Sequence, residues 1–122
     1  MGRKKLENDP ISISLELGLI EKINNYSAKE GLQKSRFVEK LIMDYTPDFR
    51  AMDPLFYGKN RKRKMVGLTL PPACNEKFQA MRLQYGVTKE VLLAALMADY
   101  ERKLDDFLVA EAMIELKGNG TK

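Results

Sequence analysis

Two groups of side chains in this sequence could do chemistry, and both favour binding over bond-making. Basic residues cluster at Arg3-Lys4-Lys5 and again at Lys59 and Arg61-Lys62-Arg63-Lys64. Each cluster precedes a stretch in which apolar and small side chains alternate. These are Ile11-Ser12-Ile13-Ser14-Leu15 and Met65-Val66-Gly67-Leu68-Thr69-Leu70. A lone charge run is commonly just a solvated face. Two runs at matching places point instead to a polyanion held beside the alternating segments. Lys5, Arg61, Lys62, Arg63 and Lys64 are therefore the expected phosphate contacts.

The rest of the composition argues against an enzyme. The chain has no histidine, so the usual general base near neutral pH and the commonest metal ligand are missing. The one cysteine, Cys74, falls with Phe78 and Met81 on the apolar side of a predicted helix and reads as a buried, inert thiol. One cysteine makes neither an intrachain disulfide nor a thiolate metal cluster. Phosphate-binding loops, dinucleotide fingerprints and nucleophile elbows are absent, and the carboxylates are dispersed. No metal and no cofactor are expected. The net charge of +4 hides an asymmetry, because acids gather late, at Glu101, Asp105, Asp106, Glu111 and Glu115. No apolar run approaches the roughly 20 residues that cross a bilayer. The opening MGRKKLENDP lacks the apolar core of a signal peptide. The expected compartment is the cytoplasm, at a nucleoid or plasmid.

The elements that must position these residues come in two copies. Pro10 to Thr46 lie over Met65 to Glu101 without a gap, at an offset of 55. Leu15, Glu21, Lys22, Gly31, Lys34, Leu41, Asp44 and Tyr45 are answered by Leu70, Glu76, Lys77, Gly86, Lys89, Leu96, Asp99 and Tyr100. Each copy reads as a strand, a helix, a Gly turn and a second helix. In the first, a helix is predicted from about Leu17 to Glu30, ended by Gly31, and another from near Lys34 to Pro47. In the second, Pro71-Pro72 opens a helix, Gly86 ends it, and Thr88 is the N-cap of the next. Residues 47–64 read as a basic linker, and residues 1–9 as a polar arm. After Tyr100 the helical signal continues. Leu104, Phe107 and Leu108 carry an apolar stripe to about Leu116, with acids opposite, until Gly118-Asn119-Gly120. Residues 102–122 are thus an addition that the first copy lacks.

A repeat of about 40 residues is small for a core of its own, and one short strand does not stand alone in water. The predicted fold is therefore mainly α with a short antiparallel two-stranded β-ribbon, a tandem pseudo-dimer plus a C-terminal helical extension. Ile11, Ile13, Leu15, Val66, Leu68 and Leu70 would face the core. Pro10, Ser12, Ser14, Met65, Gly67 and Thr69 would face outward. Such a ribbon is narrow enough for a DNA major groove. Backbone N–H groups near Lys34-Ser35 and Lys89-Glu90, at the start of each second helix, could hold phosphates on either side.

At "ISISLELGLIEKINNYSAKEGLQKSRFVEKLIMDY" and "MVGLTLPPACNEKFQAMRLQYGVTKEVLLAALMADY" the chain resembles the ribbon-helix-helix (MetJ/Arc/CopG-like) superfamily of DNA-binding proteins. The resemblance covers about 70 of 122 residues, twice in register. It implies base contacts from Ser12, Ser14, Thr69 and Gly67 on the ribbon. It implies phosphate contacts from Lys34, Ser35 and Lys89. Departures from the pattern matter. The outward residues are small, and one hydroxyl discriminates bases weakly, so DNA shape should share the readout. Met65 stands where a basic residue is common. Glu90 replaces a small polar residue in the second clamp and would repel phosphate, so the two halves should bind unequally and the site should be an imperfect palindrome.

The expected function is a sequence-specific regulator of double-stranded DNA, most simply a repressor. The tandem plan also suits a relaxosome accessory protein that bends DNA near a plasmid transfer origin. A third reading is an antitoxin or adaptor that grips a protein, relaxase or toxin, through the C-terminal helix. Self-association through Leu104, Phe107 and Leu108 is the simpler use of that helix.

Overall fold

An alternating apolar segment becomes a strand only when a partner satisfies its backbone, and here each repeat supplies one strand to the other. The computed structural model describes residues 9–52 and 62–120. Its elements are β1 (Asp9–Glu16), α1 (Leu17–Glu30), α2 (Lys34–Asp44), β2 (Arg63–Leu70), α3 (Pro72–Tyr85) and α4 (Lys89–Gly120). The fold is mainly helical, with β1 and β2 forming a two-stranded antiparallel sheet.

The register carries symmetry. Pro10 faces Thr69, Ser12 faces Gly67 and Ser14 faces Met65. Ser12 and Gly67 are also repeat equivalents, 55 positions apart. They therefore lie on a local two-fold axis, with the pairs on either side exchanged by it. Ile13, Leu15, Val66, Leu68 and Leu70 are buried on the ribbon's helix-facing side. They meet Leu19 and Ile23 of α1, Phe37, Val38, Leu41 and Ile42 of α2, Phe78 of α3, and Leu92, Leu93, Leu96 and Met97 of α4, all buried in one cluster. The two repeats thus share a single core, which gives each the apolar burial that one alone would lack.

Helix ends follow local chemistry. Gly31 (φ 68°) and Gly86 (φ 65°) close α1 and α3 in the left-handed region, where a Cβ is costly. Thr88 Oγ1 accepts the Val91 N–H at 3.2 Å at the start of α4. Glu16 performs this task for α1, its Oε2 accepting the Leu19 N–H at 3.2 Å. A buried polar clasp then fixes the chain leaving α2. Asp99 takes the Thr46 N–H at 3.0 Å and pairs with Arg102 at 2.6 Å and Lys103 at 3.1 Å. Burial alone would raise its pKa, but these donors outweigh burial and hold it below the usual carboxylate range.

Three boundaries differ from the sequence reading. β1 starts at Asp9, and β2 starts at Arg63, inside the stretch read as linker. Pairing continues because Lys64 and Arg63 find Leu15 and Glu16 opposite. The third is the end of α4: the second helix of repeat two continues past Tyr100 into its extension, as the sequence implied, and forms one helix of 32 residues, about 48 Å long at 1.5 Å per residue. Neither Gly nor Pro interrupts it from Lys89 to Lys117, and it runs through the glycines expected to stop it. Its distal part is not a single stripe. Leu104 packs on the core, whereas Phe107, Leu108, Val109, Met113 and Ile114 are all more than half exposed. Phe107 and Val109 point to opposite sides, roughly 200° apart at 3.6 residues per turn.

Candidate nucleic-acid interface

The outward face of the ribbon carries Pro10, Ser12, Ser14, Met65, Gly67 and Thr69, every one exposed. It bears hydroxyls and bare backbone near the axis, without charge. The first residues of α2 and α4 flank it, each set against the strand of the other repeat.

On the α2 side, Ser35 Oγ accepts the Thr69 N–H at 2.9 Å. The Arg36 guanidinium donates to the Thr69 carbonyl and to Glu39 Oε1, the latter at 2.6 Å. The open edge of β2 is therefore satisfied by side chains from the start of α2. Lys34, the first residue of α2, is exposed beside them.

On the α4 side the longer Glu90 replaces Ser35. Its Oε2 accepts the Glu16 N–H at 2.7 Å, and its carboxylate receives Arg63 Nε at 3.0 Å and 3.2 Å. Between β1 and the start of α4 lies a cleft of about 480 Å³, walled by Ser12, Ser14, Arg63, Arg82, Thr88, Lys89 and Glu90, with Ile13. Three cations and one carboxylate share this cleft with two ribbon hydroxyls. An anion seated there would gain from Lys89, Arg82 and the helix start, and would be opposed by Glu90.

The structure thus gathers Ser14, Arg63 and Lys89 on one side of the axis through Ser12 and Gly67, and Thr69, Ser35 and Lys34 on the other. It separates Arg63 from Lys64. Strand alternation turns Arg63 outward with Met65 and Gly67, and turns Lys64 to the helix-facing side, at an exposed end beside Lys62. Lys5 and Arg61, and with them Arg3, Lys4, Lys59 and Leu55-Phe56-Tyr57, lie outside the described residues. Arg82 and Arg36 escaped the sequence reading. Superposing the repeats exposes Arg82, since its equivalent is Ser27, a buried residue. Arg36 gave no signal beyond adjacency to Ser35.

Other reactive groups are committed to structure. Tyr100 is buried, edge-on to Tyr26, Phe37 and Tyr45. Its hydroxyl donates to Glu30, which also binds Lys40, while the Tyr26 hydroxyl donates to Glu101 at 2.7 Å. Burial, with Glu101 beside it, pushes Tyr26 up to about 12. Burial pushes the Cys74 thiol up to about 11. Among the described residues no cluster of three His, Cys, Asp or Glu could hold a metal ion, and no helix is long and apolar enough to cross a membrane. No protein-family model matches the chain, and neither a curated protein nor a solved structure matches it.

Proposed function

We propose that this chain is a ribbon-helix-helix protein that binds double-stranded DNA sequence-specifically, lays its ribbon in the major groove and represses transcription by occluding a promoter. It is a binding protein and not an enzyme. One observation carries the reading: the local two-fold axis through Ser12 and Gly67 lies in an exposed, uncharged polar face. Lys34 and Lys89, repeat equivalents, begin the helices on either side. A duplex offers matching symmetry, with base edges in the groove and a phosphate rail along each side. Phosphate contacts from Lys34, Lys89 and Arg82 give affinity, and ribbon hydroxyls give part of the specificity. Ser35 spends its acceptor on Thr69 and keeps its hydroxyl proton for a phosphate oxygen. Glu90 weakens the second clamp, which favours an imperfect palindrome.

The test is a gel shift on the DNA upstream of the protein's own gene, with competitor DNA and a salt series. A competitor-resistant complex whose log affinity falls steeply with log salt is the expected result. Its position at a promoter supports repression, and a position at a plasmid transfer origin supports a relaxosome role. Equal, weak binding to every duplex would overturn sequence specificity.

The distal part of α4 supports a second element of function, self-association. Phe107, Leu108, Val109, Met113 and Ile114 expose apolar surface that a lone chain leaves in water. Asp105, Asp106 and Glu111 beside them disfavour DNA there. A second copy of the chain covers this surface and joins two DNA-binding units.

A further inference from the structure

We propose that two copies of this chain pair antiparallel through residues 105–114 of α4, so that their DNA-binding units stand at opposite ends of the pair and engage two separate DNA sites at once; this rests on the self-association and DNA-binding readings above. The argument begins with how α4 is clothed. Leu92 to Tyr100 are nine consecutive residues, each no more than 7% exposed. Such a stretch turns about two and a half times at 3.6 residues per turn, so the chain's own core covers it on every side. The covering then ends. Every residue from Asp105 to Ile114 is exposed, and the large apolar side chains Phe107, Leu108, Val109, Met113 and Ile114 lie on this bare stretch.

The sheath decides the direction of pairing. Packed helices run ~8–10 Å apart. Two bare stretches can approach that closely, but two covered ones cannot. A sheath one helix thick, ~10 Å, keeps two covered axes at least roughly 20 Å apart. Phe107 lies seven residues past Tyr100, ~10 Å along the helix. A parallel pair has both sheaths at one end and would have to halve its spacing within that length. Its helices would splay and touch at one crossing. An antiparallel pair puts the sheaths at opposite ends and lets the whole bare stretch pack.

Charge and spacing agree. The bare stretch carries Asp105, Asp106 and Glu111 and no base. In a parallel, in-register pair each acid stands level with its own copy, and like charges oppose pairing. Phe107 and Ile114, seven residues apart, share one face of the helix to within ~20°. An antiparallel two-fold between Ala110 and Glu111 brings Phe107 level with Ile114 of the second copy, and Glu111 level with its Ala110. The face is thus self-complementary, the condition for a two-fold dimer. Lys89 lies about 30 Å from that two-fold at 1.5 Å per residue, so the two α4 starts stand about 60 Å apart. Each α4 start walls the cleft beside the ribbon, which places the DNA-binding units at the outer ends.

The experiment places one nitroxide on each full-length chain, at Leu83→Cys. Leu83 is 72% exposed, six residues before Lys89, and Cys74 is buried and takes no label. Sedimentation should show a dimer, and pulsed electron paramagnetic resonance should then read an interchain distance of about 60 Å. A dimer with a distance of ~40 Å or less is side by side and overturns the antiparallel pair, leaving self-association intact. A chain that sediments as a monomer removes both. In a second arm, beads carry a biotinylated copy of the duplex bound in the gel shift. With the full chain they should retain a fluorescent copy of that duplex, and with residues 106–122 removed they should not. Protein held on the beads without the second duplex overturns two-site engagement. A chain that binds neither duplex overturns it together with the DNA reading, and the distance still decides the pairing.

Discussion

Among single residues, the ribbon hydroxyls and the buried acids make separable claims. Ser12, Ser14 and Thr69 are exposed strand residues, so replacing all three with Ala should leave the fold unchanged. Each lost hydroxyl contact should cost about 1 kcal/mol, roughly fivefold in Kd for the specific site. Binding to random duplex in a competition titration should barely move. Equal losses on both DNAs would remove the hydroxyls from readout. The acids speak to pH. Glu30 gains from Lys40 and Tyr100 more than burial costs it, so its folded pKa is lowered, as is that of Asp99. A lowered carboxylate contributes stability in full above its unfolded value, near ~4. That contribution is lost as pH falls through the folded value. Thermal melts between pH 7 and pH 2.5 should show the wild-type Tm falling steeply in acid. Asp99→Asn should start lower, by about 1–3 kcal/mol at neutral pH, and fall less. Parallel curves would deny Asp99 that role. Asp99, recognised only as a repeat match, became legible as a clasp once Thr46, Arg102 and Lys103 were brought to it.

For elements, the ribbon and the helix starts are where sequence and structure can be compared most closely. Period-2 alternation, the C′ glycines Gly31 and Gly86 and the Thr88 cap were all readable, because each is a local demand on backbone or face. Arg63 was not readable as a strand residue, since a run of basic residues carries no alternation and only pairing with Glu16 extends β2 that far. Glu16 was equally hidden, because glutamate is not among the favoured N-cap types. The distal part of α4 was misread for another reason: picking Leu104, Phe107 and Leu108 as a stripe overlooked Val109 and Met113 on other sides of the same helix. Gly67 offers an element-scale test. Its backbone does not require glycine, and a Cβ there would meet nothing within 4 Å. Gly67→Thr should raise stability by ~0.5–1 kcal/mol, since glycine weakens a strand. Under the proposed function it should also weaken specific DNA binding, because a side chain would then stand on the axis between the ribbon and the base edges. Rising Tm with unchanged affinity would mean that nothing approaches closely there.

At the scale of the whole molecule, one chain does what two identical strands and four helices would do in a symmetric dimer, and the single core ties the halves at a fixed spacing. The gap-free repeat made that plan legible. Glu90 in place of Ser35 already marked the halves as unequal in the sequence, but their partners did not: Arg36 beside Ser35 on one side, and Arg63 and Arg82 beside Glu90 on the other. The distal part of α4 lies outside this plan. Arg102 and Lys103 hold Asp99, and Leu104 packs on the core, so a clean truncation begins after Asp105. Removing residues 106–122 should lower the mass seen in sedimentation and preserve binding of a single DNA site. An unchanged mass would place self-association elsewhere. The central claim, a ribbon in the major groove, is tested most directly by methylation interference on the selected duplex. Guanine N7 lies in the major groove and adenine N3 in the minor groove. The expected result is loss of binding when guanine N7 within the site is methylated, with little effect from adenine N3. Interference from adenine N3 alone would contradict the claim.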